Sequence, residues 1–269
     1  MSPSRKQILL ALLFLTMCAD SRGARASAEG CDTPEIDIKF LSVEMPSLAT
    51  QFARDMREAF RAVCEWWGPT YAGPIHVAVN DIFRESMALV PAWYGKPGLM
   101  FFPISMVASG RTTTVHEVTH VFAPNAHRFL AEGLAVYAHD RLNGPPAFPN
   151  FGADIEKLAS VYAGRANIGV LDKAPTPTPP HLMSSTLGGR EVYIVAGSFV
   201  RFLIEDFGLP KFRELYALTP LVPGKRELGT PERWESVYGL SIDQLSSKWL
   251  EKLVASQERF RRLSDAKMR

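Results

Sequence analysis

The residues best suited to chemistry in this chain are His116, Glu117 and His120, in the run His116-Glu117-Val118-Thr119-His120. Residues four apart on a helix share a face, so these two imidazoles can meet one divalent ion. Glu117 follows His116 directly. It lies beside such an ion without having to bind it, and can take a proton from a water that the metal activates. Zinc lowers the pKa of its water to about 7, which supplies a nucleophile at neutral pH. The plainer alternative is a helix with two exposed histidines and a solvated glutamate. Val115, Val118, Val121 and Phe122 argue instead for a mostly buried helix. Buried imidazoles and a buried carboxylate need partners, and a metal supplies them.

A hydrolytic zinc site needs a third protein ligand and an open fourth position. Two residues compete for the third place. His127 lies seven positions after His120, but a His-x-x-Gly-x-x-His continuation would need glycine at 123 and histidine at 126, where the chain has Ala123 and Ala126. Glu132 lies twelve positions after His120, within Phe129-Leu130-Ala131-Glu132-Gly133-Leu134-Ala135-Val136-Tyr137. The Pro124-Asn125 break lets a second helix fold back on the first. Gly133 permits close approach, which would turn Glu132 towards the histidines. The expected metal ligands are therefore His116, His120 and Glu132, with zinc as the cofactor. A surface charge is the alternative for Glu132, but Leu130, Leu134 and Tyr137 mark its helix as half buried.

With both segments in view, His116-Glu117-x-x-His120 followed by Glu132-Gly133-Leu134-Ala135-x-Tyr137 resembles the gluzincins, in particular peptidase MA-like proteins near the aminopeptidase N family. The resemblance implies a zincin fold, zinc held by the two histidines and the glutamate, and peptide hydrolysis. It continues at Tyr193-Ile194-Val195-Ala196-Gly197-Ser198-Phe199-Val200-Arg201, where the family has a tyrosine, a small-residue pair and an arginine eight positions on. In that family the tyrosine helps hold the oxyanion, which carries over to Tyr193. A positioned O–H donor is also what a tetrahedral oxyanion requires on physical grounds. The competing role is a core tyrosine bonded to backbone, and Tyr137 and Tyr162 are the alternative donors. The chain departs from the pattern at Gly98-Leu99-Met100-Phe101-Phe102. There the family's G-x-M-E-N strand would place an amine-anchoring glutamate at the position of Phe101, so an aminopeptidase is not expected. Leu99, Met100 and Phe101 are instead expected to form an edge strand that binds an extended substrate by strand addition. The acidic residue that the family would carry four after Glu132 is Val136 here. His139 is expected at a solvated helix end, while His76 and His181 read as ordinary strand and loop histidines.

These side chains must be positioned by their elements. Phe52, Met56, Phe60, Val63 and Trp67 recur at helical spacing over 46–67, ended by Gly68-Pro69. Ile75–Val79 reads as a strand, and Leu99–Val107 as a second whose Pro103 suits an edge. Helices are expected over 109–122 and 126–141, a short one over 153–163, then 192–207, 211–218, 231–238 and 242–254. Strands gather in the first half and helices in the second. The fold class is therefore α+β, with a small N-terminal mixed sheet, the His-Glu-x-x-His helix and a helical C-terminal half.

The N-terminus carries Arg5 and Lys6, an apolar run from Ile8 to Ala19, and Ala26-Ser27-Ala28. That is the pattern of a signal peptide over 1–28, too short to span a bilayer. The expected organisation is this leader, a domain over 29–255 and a basic tail over 256–269, with export to a periplasmic or secreted location. Lipidation at Cys18 is the alternative. Without residues 1–28 the chain has 26 basic and 27 acidic residues, which gives no case for nucleic acid as a partner. No other stretch is long and apolar enough to span a membrane. Cys31 and Cys64 remain, and an oxidising compartment favours a disulfide between them. The function expected is a zinc metallohydrolase, a peptidase acting on peptide or protein substrates. The alternatives are a non-catalytic binding module that keeps its zinc, and a zinc amidase acting on a non-peptide bond.

Overall fold

A computed structural model describes residues 31, 34–41, 45–71, 73–89, 98–174, 178–221 and 229–267, with side chains to residue 258. The expected leader over 1–28, with Cys18, lies outside the described residues. The chain divides into two compact units, Met1–Phe122 and Ala123–Arg269. Each has its own core.

The first unit holds β1 (Ile36–Phe40), α1 (Pro46–Trp67), β2 (Ile75–Asn80), β3 (Met87–Leu89), β4 (Leu99–Pro103), α2 (Ile104–Ser109) and α3 (Thr114–Phe122). The sheet order is β1-β2-β4-β3, with the first three strands parallel and β3 antiparallel to β4. β1, α1 and β2 form one parallel crossover, a β-α-β step within an otherwise segregated α+β chain. β1 and β3 were not anticipated. Ile36, Ile38 and Phe40 alternate and could have marked β1, whereas three residues are too few for a period to show in β3.

α1 matches its expected span. Pro46 starts it, and Gly68, at φ +106°, ends it by donating its N–H to the Cys64 carbonyl at 2.7 Å. Its apolar face is buried. Phe52 meets Phe102 of β4 edge-on at 5.1 Å, and Phe60 meets Phe122 of α3 at 4.7 Å. One helix thus braces both the sheet and α3. Cys31 and Cys64 form the expected disulfide, with Cα atoms 5.6 Å apart.

The strand expected over 99–107 stops at Pro103, and the rest is α2, which ends at Gly110 in the left-handed region. α3 accordingly begins at Thr114, not at Ser109. The expected edge position of Leu99, Met100 and Phe101 does not hold. Their strand pairs with β2 through Val77↔Met100 and with β3 through Ala88↔Met100, and all three are buried. Pro103 is tolerated because β3 flanks only Leu99–Phe101, so no strand on that side needs its missing N–H.

The second unit comprises α4 (Arg128–Arg141), α5 (Ile155–Tyr162), α6 (Ile168–Asp172), α7 (Gly189–Phe207), α8 (Leu209–Ala217), α9 (Arg233–Tyr238) and α10 (Ile242–Lys267). α7 is its centre. Phe199 lies about equally near Phe129, Trp234 and Trp249, at 6.1, 6.1 and 5.9 Å, and the Trp249 indole donates to Ser198 Oγ at 3.0 Å. α4 and α7 pack through glycines. A Cβ on Gly133 would come within 2.6 Å of the Ala196 carbonyl oxygen, and one on Gly197 within 2.5 Å of Val136. The close approach at Gly133 was expected against the His-Glu-x-x-His helix; the atoms a Cβ there would meet belong to α7.

Together these elements make a mixed α+β protein with a four-stranded sheet and ten α-helices among the described residues. No described helix is long and apolar enough to cross a membrane. The disulfide closes a segment with a sequence separation of 33. In the chain-entropy account, Cys31→Ala with Cys64→Ala should lower unfolding free energy by about 3–4 kcal/mol, measured by denaturant titration.

Candidate metal centre

α3 is built to hide its side chains. Thr114, Val115, His116, Glu117, Val118, Thr119, Val121 and Phe122 are all buried, and His120 is half-buried. At its start the Thr113 carbonyl accepts from Glu117 N–H at 3.0 Å. At its end Thr70 Oγ1 donates to the Phe122 carbonyl at 2.6 Å, and Tyr71 packs edge-on to the Phe122 ring. This is the buried helix expected from its apolar residues.

The imidazole rings of His116 and His120 lie 4.8 Å apart at 81°, with their Nε2 atoms 3.2 Å apart. Two nitrogens at the usual zinc distance of about 2.0–2.1 Å and 3.2 Å from each other subtend about 100–106° at the ion, close to tetrahedral. A Glu117 carboxylate oxygen is within 4.8 Å of both ligand nitrogens. His116 and Glu117 are only 8% and 4% exposed. Without an ion, Nε2–H of one ring would have to donate to the other. With one, both lone pairs converge on the same point. The donor set and the angle therefore fit a borderline divalent metal. Glu117 accepts from Thr113 Oγ1 at 3.2 Å, and Thr113 is in turn hydrogen-bonded to Ser86 Oγ.

The other site candidates lie in the second unit. Glu132, on α4, is 7% exposed and pairs with Arg128 at 2.9 Å. Its charge also reaches Tyr216 of α8, whose hydroxyl is held well above its usual pKa by burial first and by Glu132 second. Tyr216 donates to the Ala123 carbonyl at 2.7 Å. Tyr193, on α7, is half-buried and meets the Phe148 ring edge-on at 5.2 Å. Arg201, eight residues on, pairs with Glu205 at 2.9 Å. Tyr137 is buried, and that burial raises its pKa above the ordinary value. Tyr162 lies under the Arg165 guanidinium.

His127, the competing third ligand, does something else. It is the N-cap of α4, and its Nδ1 accepts from Leu130 N–H at 3.3 Å. That leaves the proton on Nε2, which faces the Asp172 carbonyl oxygen at 2.8 Å and carboxylate at 3.0 Å. Asp172 also accepts from Arg233 at 2.5 Å and from the Trp234 indole at 3.3 Å. This buried cluster of His127, Asp172, Arg233 and Trp234 was not foreseen, because its members are spread over more than a hundred residues and share no spacing signal. His139 is not at a solvated end. It is buried, its Nε2 bonds the Pro145 carbonyl at 2.8 Å, and its ring sits against Gly144. His76 lies on β2 with Asp37 3.7 Å away, and His181 is in an exposed single turn, as expected.

No protein-family model matches the chain, and no curated protein matches it. Among solved structures, the chain is similar to an M1 zinc metallopeptidase from Deinococcus radiodurans. The identity is 17% and the TM-score 0.46, over 79% of this chain and 47% of that one. A second match is a variant M1 zinc metallopeptidase from the same organism bound to a Tyr-Ser-Ala substrate, with 18% identity and a TM-score of 0.42, over 78% and 45%. The chain thus spans less than half the length of these structures.

The two kinds of histidine should separate on substitution. His127→Ala removes a helix cap and a buried partner of Asp172, and should cost about 1–3 kcal/mol of stability by thermal or denaturant unfolding while leaving metal content unchanged. His116→Ala should abolish stoichiometric metal binding, read by elemental analysis.

Proposed function

We propose that this chain is a zinc-dependent peptidase acting outside the cytoplasm, with His116, His120 and Glu132 as metal ligands, Glu117 as general base and Tyr193 as oxyanion donor. The observation that carries this reading is the 3.2 Å approach of two imidazole nitrogens on a buried helix, with a buried carboxylate one residue away. Zinc, when bound, supplies a Lewis acid that acidifies water and polarises a carbonyl. Glu117 takes the proton from the attacking water and returns it to the leaving amine. Its burial keeps the carboxylate close to the proton it moves. Tyr193 donates its O–H to the developing oxyanion. Glu132 supplies the third ligand, oriented by its ion pair with Arg128.

An extended substrate would lie along β3, the terminal strand that packs against α3, since β4 is paired on both sides and β1 ends the sheet on the other side. Peptide hydrolysis is the chemistry implied by the gluzincin resemblance. The leader pattern and the Cys31–Cys64 disulfide support export. The rival reading is a non-catalytic module with a closed structural zinc, which calls for a fourth protein ligand. His127 was the nearest such ligand in sequence, and both its ring nitrogens are engaged within the second unit.

Peptide-library cleavage should be abolished by chelator and restored by zinc. Glu117→Gln should keep zinc and lower kcat by about 10²–10⁴-fold, the usual share of a general base. Survival of full activity in that variant would remove Glu117 from the mechanism. Glu132→Gln should weaken zinc binding by more than the about 10–100-fold that loss of an outer-sphere partner costs, measured by competition with a chelating dye.

A further inference from the structure

The Thr113 hydroxyl stands between two partners. Its Oγ1 lies 3.2 Å from Glu117 Oε1 and is hydrogen-bonded to Ser86 Oγ. An ionised carboxylate only accepts, and a hydroxyl has one proton to give. Thr113 must therefore donate to Glu117 and accept from Ser86. The chain of donors runs from Ser86 Oγ–H through Thr113 Oγ1–H to Glu117 Oε1. Its direction is set by the carboxylate's charge.

The two hydroxyls are anchored differently. Thr113 is buried and β-branched, so its side chain has few rotamers to choose from. It also holds Glu117 at a second point, because its carbonyl accepts from the Glu117 N–H at 3.0 Å. Main chain and carboxylate are thus fixed by one neighbour. Ser86 is the residue immediately before β3, one of the two terminal strands of the sheet, and α3 packs against that strand. A glutamate has three rotatable bonds, and a carboxylate that swings between rotamers spends part of its time away from the proton it must move. Pinning Oε1 leaves the other oxygen as the one that can face the reacting water.

We infer that Thr113 and Ser86 are positioning residues for the general base, a hydroxyl relay that runs from the start of β3 to Glu117. This rests on the reading of Glu117 as base given above. The two hydrogen bonds of the relay end on Glu117, which is not a metal ligand in this reading, so its loss acts on turnover and leaves zinc in place.

The test compares Thr113→Val, which keeps the shape and removes the hydroxyl, with Thr113→Ser, which restores it, and with Ser86→Ala. Thr113→Val should lower kcat by about 10–100-fold, the scale of a small misplacement of a catalytic group, with KM within about twofold and zinc content unchanged. Thr113→Ser should recover most of the lost kcat. Ser86→Ala, at a half-buried position, should lower kcat in the same direction by a smaller factor, and it serves should Thr113→Val fold poorly. Wild-type kcat in Thr113→Val, or a Thr113→Ser variant as slow as Thr113→Val, would overturn the inference. A second readout does not need turnover. In a double-mutant cycle on the purified protein, Thr113→Val should lower Tm by less in a Glu117→Ala background, where only its bond with Ser86 is left to lose, than in the wild-type background. Additive Tm changes would overturn the relay. If the wild-type protein cleaves nothing, the peptidase reading fails while this cycle still decides whether Thr113 acts through Glu117.

Discussion

Two imidazole nitrogens one helical turn apart, 3.2 Å from each other and beside a buried carboxylate, set the terms for the first unit. Taking such groups out of water is costly unless each finds a partner. α3 meets that requirement by spending both faces. Phe122 packs into α1 and Tyr71, while Thr113 and Thr119 bond the helix's own backbone or its glutamate. The face carrying His116, Glu117 and His120 is left to converge on one point. A divalent ion there would turn a desolvation cost into a set of coordinate bonds.

The second unit is held by a different device. α4 and α7 approach so closely at Gly133 and Gly197 that neither position has room for a methyl group. This fixes the relation of the helix bearing Glu132 to the one bearing Tyr193. The start of α4 is clamped separately, by His127 on Asp172 and by Asp172 on Arg233 and Trp234. A buried ion pair of this kind adds little net stability over an apolar replacement, but breaking it by removing one partner is strongly destabilising. Its contribution is to leave α4 one place to begin.

Much of this was legible in the chain. The apolar spacing of Phe52, Met56, Phe60 and Val63 marked α1 to the residue, and the burial of α3 could be read from its valines. The α+β segregation followed from where those periods fall. What could not be read has physical causes. Pro103 was a sound warning against a central strand, but whether its missing N–H matters depends on the length of the neighbouring strand, which no local pattern carries. His127 could be weighed as a third ligand and set aside for Glu132, but only the fold gave it a helix to cap and an aspartate 45 residues away. Gly133 announced a close contact, expected with the His-Glu-x-x-His helix, whereas the atoms that crowd it belong to α7, which no local pattern named. Ser86 falls in no expected element and Thr113 inside the helix expected over 109–122, and the link from Ser86 through Thr113 to Glu117 exists only because β3 lies against α3.

The central claim is that the two histidines and a carboxylate share a single zinc. X-ray absorption at the zinc edge of the purified, zinc-loaded protein tests it most directly. The account predicts a four-coordinate shell with two imidazoles at about 2.0–2.1 Å and carboxylate oxygen at about 2.0–2.2 Å, leaving one place for water. A shell with no imidazole scattering, or one filled by four protein ligands, would contradict it.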